Sequence, residues 1–257
     1  MPGNQPGSTA SIPVNFALKF QDFTIEVSTE LPEGPVLPAA ILPVIQGLSN
    51  SFSEAAAKRA AQTGRHRSCR EGCAACCWQA VAIAPTEARM ISQWLNDQPE
   101  ERQTELRERF RIAAERLERA GVAQAARELS RTADRDALHA LGLKYSALGV
   151  PCPFLENERC CIYEIRPLRC REYQVASLPE HCAHPETKQI DGIEPPVKLS
   201  HILGKWNAIG EPQSAELILL TMLDEWVAGH PSNEDRAQHT APELLHEFIR
   251  RFADDPD

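Results

Sequence analysis

Nine cysteines stand between Cys69 and Cys182 of a 257-residue chain, and none lies outside that stretch. A chain of this length buries a core large enough to fold without covalent staples. An odd count would also leave at least one thiol unpaired in any disulfide scheme. Inert buried thiols occur singly, but nine in so short a span are hard to explain as packing. The clustering therefore points to metal before disulfide.

The spacing supports this. The first group reads Cys69-Arg-Glu-Gly-Cys73-Ala-Ala-Cys76-Cys77, and the second runs from Cys152 through Cys160 and Cys161 to Cys170, with Cys182 beyond it between His181 and His184. Thiolates two or three residues apart turn back onto one ion, and Gly72 eases that turn. Zinc and iron–sulfur centres both take about four such ligands. Two four-cysteine sites need eight thiolates. The motifs offer seven, with Cys161, Cys182 and the two histidines as supplements, so one shared centre, a bridged pair or two separate sites all stay open. Arginines flank both groups, Arg65, Arg67 and Arg70 at the first and Arg166, Arg169 and Arg171 at the second. Their charge either favours thiolate or lies solvated on the surface.

Around the cysteines the pattern is helical. Residues 1–13, rich in Pro, Gly and Ser, read as a loose arm. Alternation at Val14, Phe16, Leu18 and Phe20, then at Phe23, Ile25 and Val27, predicts a β-hairpin turning at Gln21-Asp22. Helices are expected over 39–63 and 86–97, as one long amphipathic element over 99–130, and over 134–143. Two more are expected near the end. One carries Ala215, Ile218, Leu219, Met222, Leu223 and Trp226. The other carries Leu244, Leu245, Phe248, Ile249 and Phe252, opened by a Thr240-x-x-Glu243 capping box. The fold class expected is mainly α, with a small N-terminal hairpin and a loop-rich cysteine module. The domain divisions expected are 1–36, 37–185 and 186–257.

Composition excludes other classes. Lys plus Arg number 27 against 36 Asp plus Glu, a net charge of −9 that opposes nucleic-acid binding. No apolar run reaches membrane-span length, and the N-terminus lacks a signal-peptide pattern. A cytoplasmic location is expected, with an unidentified protein or small-molecule partner and with neither nucleic acid nor membrane.

At the motifs the chain resembles a family of bacterial cysteine-cluster proteins, often called YkgJ-like and described as zinc- or iron-chelating. The resemblance rests on Cys69-x3-Cys73-x2-Cys76-Cys77 and on Cys152-Pro-Phe-Leu…Cys160-x-Ile162-Tyr163-x-x-Arg166-Pro167-x-x-Cys170-Arg171, covering roughly residues 65–175. It implies a metal centre of Cys69, Cys73, Cys76, Cys77, Cys152, Cys160 and Cys170, with Cys161 at a variable position and Cys182 beyond the pattern. Zinc or iron, iron–sulfur included, is the implied cofactor. Tyr163 and Arg166 are candidates for binding an anion or cofactor beside it. One branch of the family, the flagellin lysine-N-methylases, offers an enzymatic alternative. Cys69-x3-Cys73-x2-Cys76 also has the radical S-adenosylmethionine spacing. Against that reading, Ala75 replaces the usual aromatic residue, and the chain shows neither alternating βα units nor a glycine-rich cofactor motif.

Overall fold

The computed structural model describes residues 10–20, 22–130, 134–206, 217–231 and 237–254. Strand β1 (Ser11–Lys19) pairs antiparallel with β2 (Thr24–Pro32), Lys19 opposite Thr24 and Ser11 opposite Pro32. This is the hairpin that the alternation predicts, extended at its open end. Its turn is closed by aromatic rings: Phe20 and Phe23 stack at 4.7 Å between centroids, and both present to Phe52 edge-on. Most of the arm, residues 1–9, lies outside the described residues.

After β3 (Pro35–Val36), a 3₁₀ turn over Pro38–Ile41 leads into α1 (Leu42–Gln62). Pro43 sits in the first turn of α1, where its missing N–H costs nothing. Between the two cysteine groups come β4 (Ala82–Ile83), α2 (Pro85–Asn96), α3 (Glu100–Arg119), α4 (Val122–Leu129) and α5 (Arg135–Ala147). The stretch over 99–130 is thus two helices, not the single one expected. Gly121 breaks it, with φ +67°, a left-handed conformation that glycine adopts without steric cost. The break folds α4 back against both α3 and α5. At the start of α5, the Asp134 carboxylate accepts from the Ala137 N–H at 3.0 Å, an ordinary N-cap.

The second cysteine segment holds β5 (Leu155–Glu156), β6 (Arg159–Cys160), α6 (Leu168–Glu172) and α7 (Pro179–Ala183). The chain then forms α8 (Leu199–Lys205), β7 (Ile218–Leu219), α9 (Leu223–Gly229), β8 (His239–Thr240) and α10 (Ala241–Asp254). Here the expected helix through Ile218 and Leu219 is corrected. Those two residues form β7 and pair antiparallel with Ala82–Ile83 of β4, and the helix begins only at Leu223. An apolar run buried on every side satisfies strand and helix patterns equally, so tertiary pairing decides. Ala215 falls outside the described residues. The capping box of α10 forms as expected: the Thr240 N–H and hydroxyl each donate to Glu243 at 2.9 Å. The architecture is mainly helical, and every sheet described is a two-stranded antiparallel pair. No helix is long and apolar enough to cross a membrane, among the described residues.

Two buried clusters position the site. In one, Ile25 and Leu31 of the hairpin meet Ile45 and Phe52 of α1, Leu203 of α8 and Phe248 of α10. In the other, Ile91 of α2 and Phe110 of α3 meet Phe154 and Ile162, with Cys152, Cys160 and Cys161 packed at its border. Phe154 is fully buried and edge-on to Trp94 and Phe110. Burying such a ring contributes about 2–3 kcal/mol. The second cysteine group is thereby seated on the helices that follow the first.

Candidate metal centre

The first group begins in a tight turn. Gly72 has φ +80°, and the Cys73 N–H donates to the Arg70 carbonyl at 3.1 Å. The chain then coils into the 3₁₀ turn Ala75–Trp78, which carries Cys76 and Cys77. The two groups meet through the backbone itself: the Cys152 N–H donates to the Cys77 carbonyl at 2.8 Å. The β5–β6 hairpin, turning at Asn157 and Glu158 with φ of 47° and 60°, brings Cys160 back toward Cys152. Ion pairs from Arg102 and Arg109 of α3 to Glu156 hold this hairpin.

Cys170 arrives on α6, which α1 and α2 clamp. From α1, the Ser53 hydroxyl donates to the Arg171 carbonyl at 3.3 Å. From α2, the buried Glu87 carboxylate accepts the Leu168 N–H at 2.7 Å and the Ala84 N–H at 3.0 Å. One side chain thus satisfies a backbone donor at the start of each helix, groups that would otherwise be orphaned.

All seven cysteines of the two motifs are half-buried. Cys69, Cys73, Cys76 and Cys182 line one recess with Ser68, Tyr173 and Pro179. The other sulfurs lie near one another on the second core. Cys170 feels the charge of Cys76 and Cys160, and Cys152 that of Cys170 and Cys160. The hydrogen bond between Cys76 and Cys77, then burial, holds the Cys76 thiol well above its ordinary range. Burial pushes the Cys69, Cys152, Cys160 and Cys170 thiols up as well. Cys161 is raised to about 12, by burial first and then by Glu156. It lines a separate open groove with Glu156, Asn157 and Arg159 at the hairpin tip.

No three His, Cys, Asp or Glu side chains form a ready-made ligand group among the described residues. The donor set is nonetheless all sulfur, which suits zinc or iron and not magnesium or calcium.

The arginines divide. Arg65 pairs with Asp191 and Arg67 with Glu54, on the surface. Arg166 instead lies over the Tyr163 ring, 3.6 Å from its centroid, and donates to the Tyr163 carbonyl at 3.0 Å. Its charge lowers the thiols of Cys160, Cys76 and Cys170. Arg171 is buried and donates only to neutral acceptors among the described residues: the Arg166 carbonyl at 3.0 Å, Asn50 Oδ1 at 3.2 Å and the Glu164 carbonyl. Tyr163 and Arg166 are therefore engaged with each other beside the sulfurs.

Sequence reasoning left Cys182 as a doubtful ligand and missed Glu87, Gln79 and Tyr173. Cys182 is the most buried of the nine, and burial raises it to about 11. The Gln79 side-chain amide donates to the Cys182 carbonyl at 2.6 Å and to the Tyr173 hydroxyl at 3.1 Å. His181 and His184 turn elsewhere, Nδ1 of His181 to the Gln189 carbonyl at 2.7 Å and Nδ1 of His184 to Glu186 at 3.4 Å.

Neither a curated protein nor a solved structure matches the chain. Residues 68–191 match a family model, CxxCxxCC, described as a "putative zinc- or iron-chelating domain". Those bounds enclose the 3₁₀ turn, both cysteine motifs and Cys182. Over residues 68–191, just under half of its length, the chain is similar to the CxxCxxCC cysteine-cluster family.

Proposed function

We propose that this chain binds zinc or iron through Cys69, Cys73, Cys76, Cys77, Cys152, Cys160 and Cys170, and that the metal locks the cysteine module onto the helical body. The observation that carries the reading is the direct backbone bond from Cys152 to Cys77, 75 positions apart in sequence, with sulfurs gathered on both sides of it. A metal shared across that junction closes the long loop formed by α2 to α5. Closing a loop of that length removes much of the freedom of the unfolded chain, so metal binding becomes folding energy. When bound, the metal supplies a divalent charge that holds the thiolates together. The chain's own groups do the remainder: Glu87 and α1 hold α6 in place, and Arg166 and Arg171 offset the excess negative charge of the sulfurs.

The test is elemental analysis of protein purified without oxygen, with an absorption spectrum of the same sample. Zinc with no visible absorption supports a structural centre. Iron with sulfide and a brown chromophore supports an iron–sulfur cluster and makes redox work the role to assay. Protein that holds neither metal and titrates nine free thiols overturns the reading.

A further inference from the structure

We infer that the outer edge of β1 docks a second copy of this chain. The two β1 strands pair antiparallel about a two-fold axis at Asn15, joining two hairpins into one four-stranded sheet. No cysteine or metal takes part in this pairing.

Among the described residues nothing pairs with that outer edge, since the sheet holds β1 and β2 alone. β2 rests on α1 and α10, and its Ile25 and Leu31 are buried. The inward side chains of β1 are covered less well. Ile12 is 37% exposed, and Val14, Phe16 and Leu18, though packed on the core, are only half-buried. An apolar row thus runs along a strand whose far side is open, which is the arrangement that accepts an added strand.

Hydrogen bonds at both ends of the hairpin fix which backbone groups face outward. The Phe20 N–H donates to the Phe23 carbonyl, and the Glu33 N–H to the Ala10 carbonyl. In the register between those bonds, even-numbered residues of β1 turn their backbone groups to β2 and odd-numbered ones turn them away. Ser11, Pro13, Asn15, Ala17 and Lys19 therefore form the free edge. Pro13 stands where an edge strand tolerates a missing N–H, and it removes one donor from each copy.

The strand is complementary to itself. With Asn15 opposite Asn15, Ser11 faces Lys19 and Pro13 faces Ala17, so outward backbone groups meet outward backbone groups. On the apolar side, Ile12 meets Leu18 and Val14 meets Phe16. Charge selects this edge over the other. Lys19 is the one charged residue of β1. It arrives opposite Ser11, whose hydroxyl donates to Glu30 at 2.8 Å, so opposite charges share a face. The same pairing through β2, centred on Ser28, sets Glu26 directly against Glu30 on both sides of the axis, and like charges so placed repel. One strand pair is small against the roughly 800 Å² per partner of a standard interface, so the dimer is expected to separate on dilution.

The experiment is sedimentation of the full chain over a dilution series, reduced and oxygen-free so that no disulfide links two copies. Wild type is expected to pass from dimer to monomer as it is diluted. Asn15 is exposed, so Asn15→Asp and Asn15→Lys leave the monomer intact while placing like charges together at the axis. Each variant alone is expected to dimerise at least about tenfold more weakly, and an equimolar mixture of the two to regain the lost affinity. Hydrogen exchange gives a check that needs no substitution. The Asn15, Ala17 and Lys19 amides gain protection as wild type is concentrated, whereas those of Val14, Phe16 and Leu18 are protected throughout. A wild type that stays monomeric up to about 1 mM overturns the inference. So does a dimer that neither charge at position 15 weakens, because its contact then lies on another surface.

Discussion

Glu87 shows how much one side chain does in this fold. Its carboxylate is buried, yet both oxygens are used: one takes the Ala84 N–H at the start of α2, the other the Leu168 N–H at the start of α6. Replacing it with alanine leaves two buried donors without acceptors, each worth about 1–3 kcal/mol. We expect Glu87→Ala to destabilise the chain by about 2–4 kcal/mol in denaturant titration, and to weaken metal retention because α6 carries Cys170. A stability within about 0.5 kcal/mol of wild type, the range of an ordinary surface substitution, contradicts that role. No sequence pattern announced Glu87, because its second partner lies 81 positions away. The seven motif cysteines and Gly72 were legible, since their spacing and the turn between them are local. Cys182 was not, since only the fold brings α7 onto the first motif.

Among elements, the helices were readable where their apolar stripes were long and their ends capped. The break at Gly121 was missed because the three-residue apolar spacing continues across it, from Ala120 to Ala123, and a glycine is a legitimate helix residue on pattern alone. Its φ of +67° makes the distinction. A methyl group there meets nothing closer than Lys144 Nζ at 3.9 Å, so the cost of Gly121→Ala is backbone strain alone, about 1–2 kcal/mol. At Gly142, inside α5, the backbone is helical and an added Cβ meets nothing within 4 Å. Gly142→Ala is therefore expected to stabilise by up to about 1 kcal/mol. Opposite signs for the pair, read from midpoints of chemical unfolding, confirm the account, and equal signs refute it. The short strands β4 and β7 were invisible for a related reason: two-residue pairs have no periodicity, and only tertiary contact defines them.

At the scale of the molecule, the sulfurs sit where the parts join. The first group precedes the helices α2 to α5, the second follows them, and a backbone bond from Cys152 to Cys77 ties the two ends. The second group also borders the core formed by α2 and α3, so order at the sulfurs and order in the helices are mechanically linked. The most direct test is the thermal unfolding of the whole chain under reducing, oxygen-free conditions, as purified and after a chelator has removed the metal. The account predicts that stripping lowers the midpoint by about 10 °C or more, with helices and cysteine module lost together, and that adding the metal back restores it. A chain that melts at the same temperature with and without its metal would contradict the claim that the cysteine centre holds this fold together.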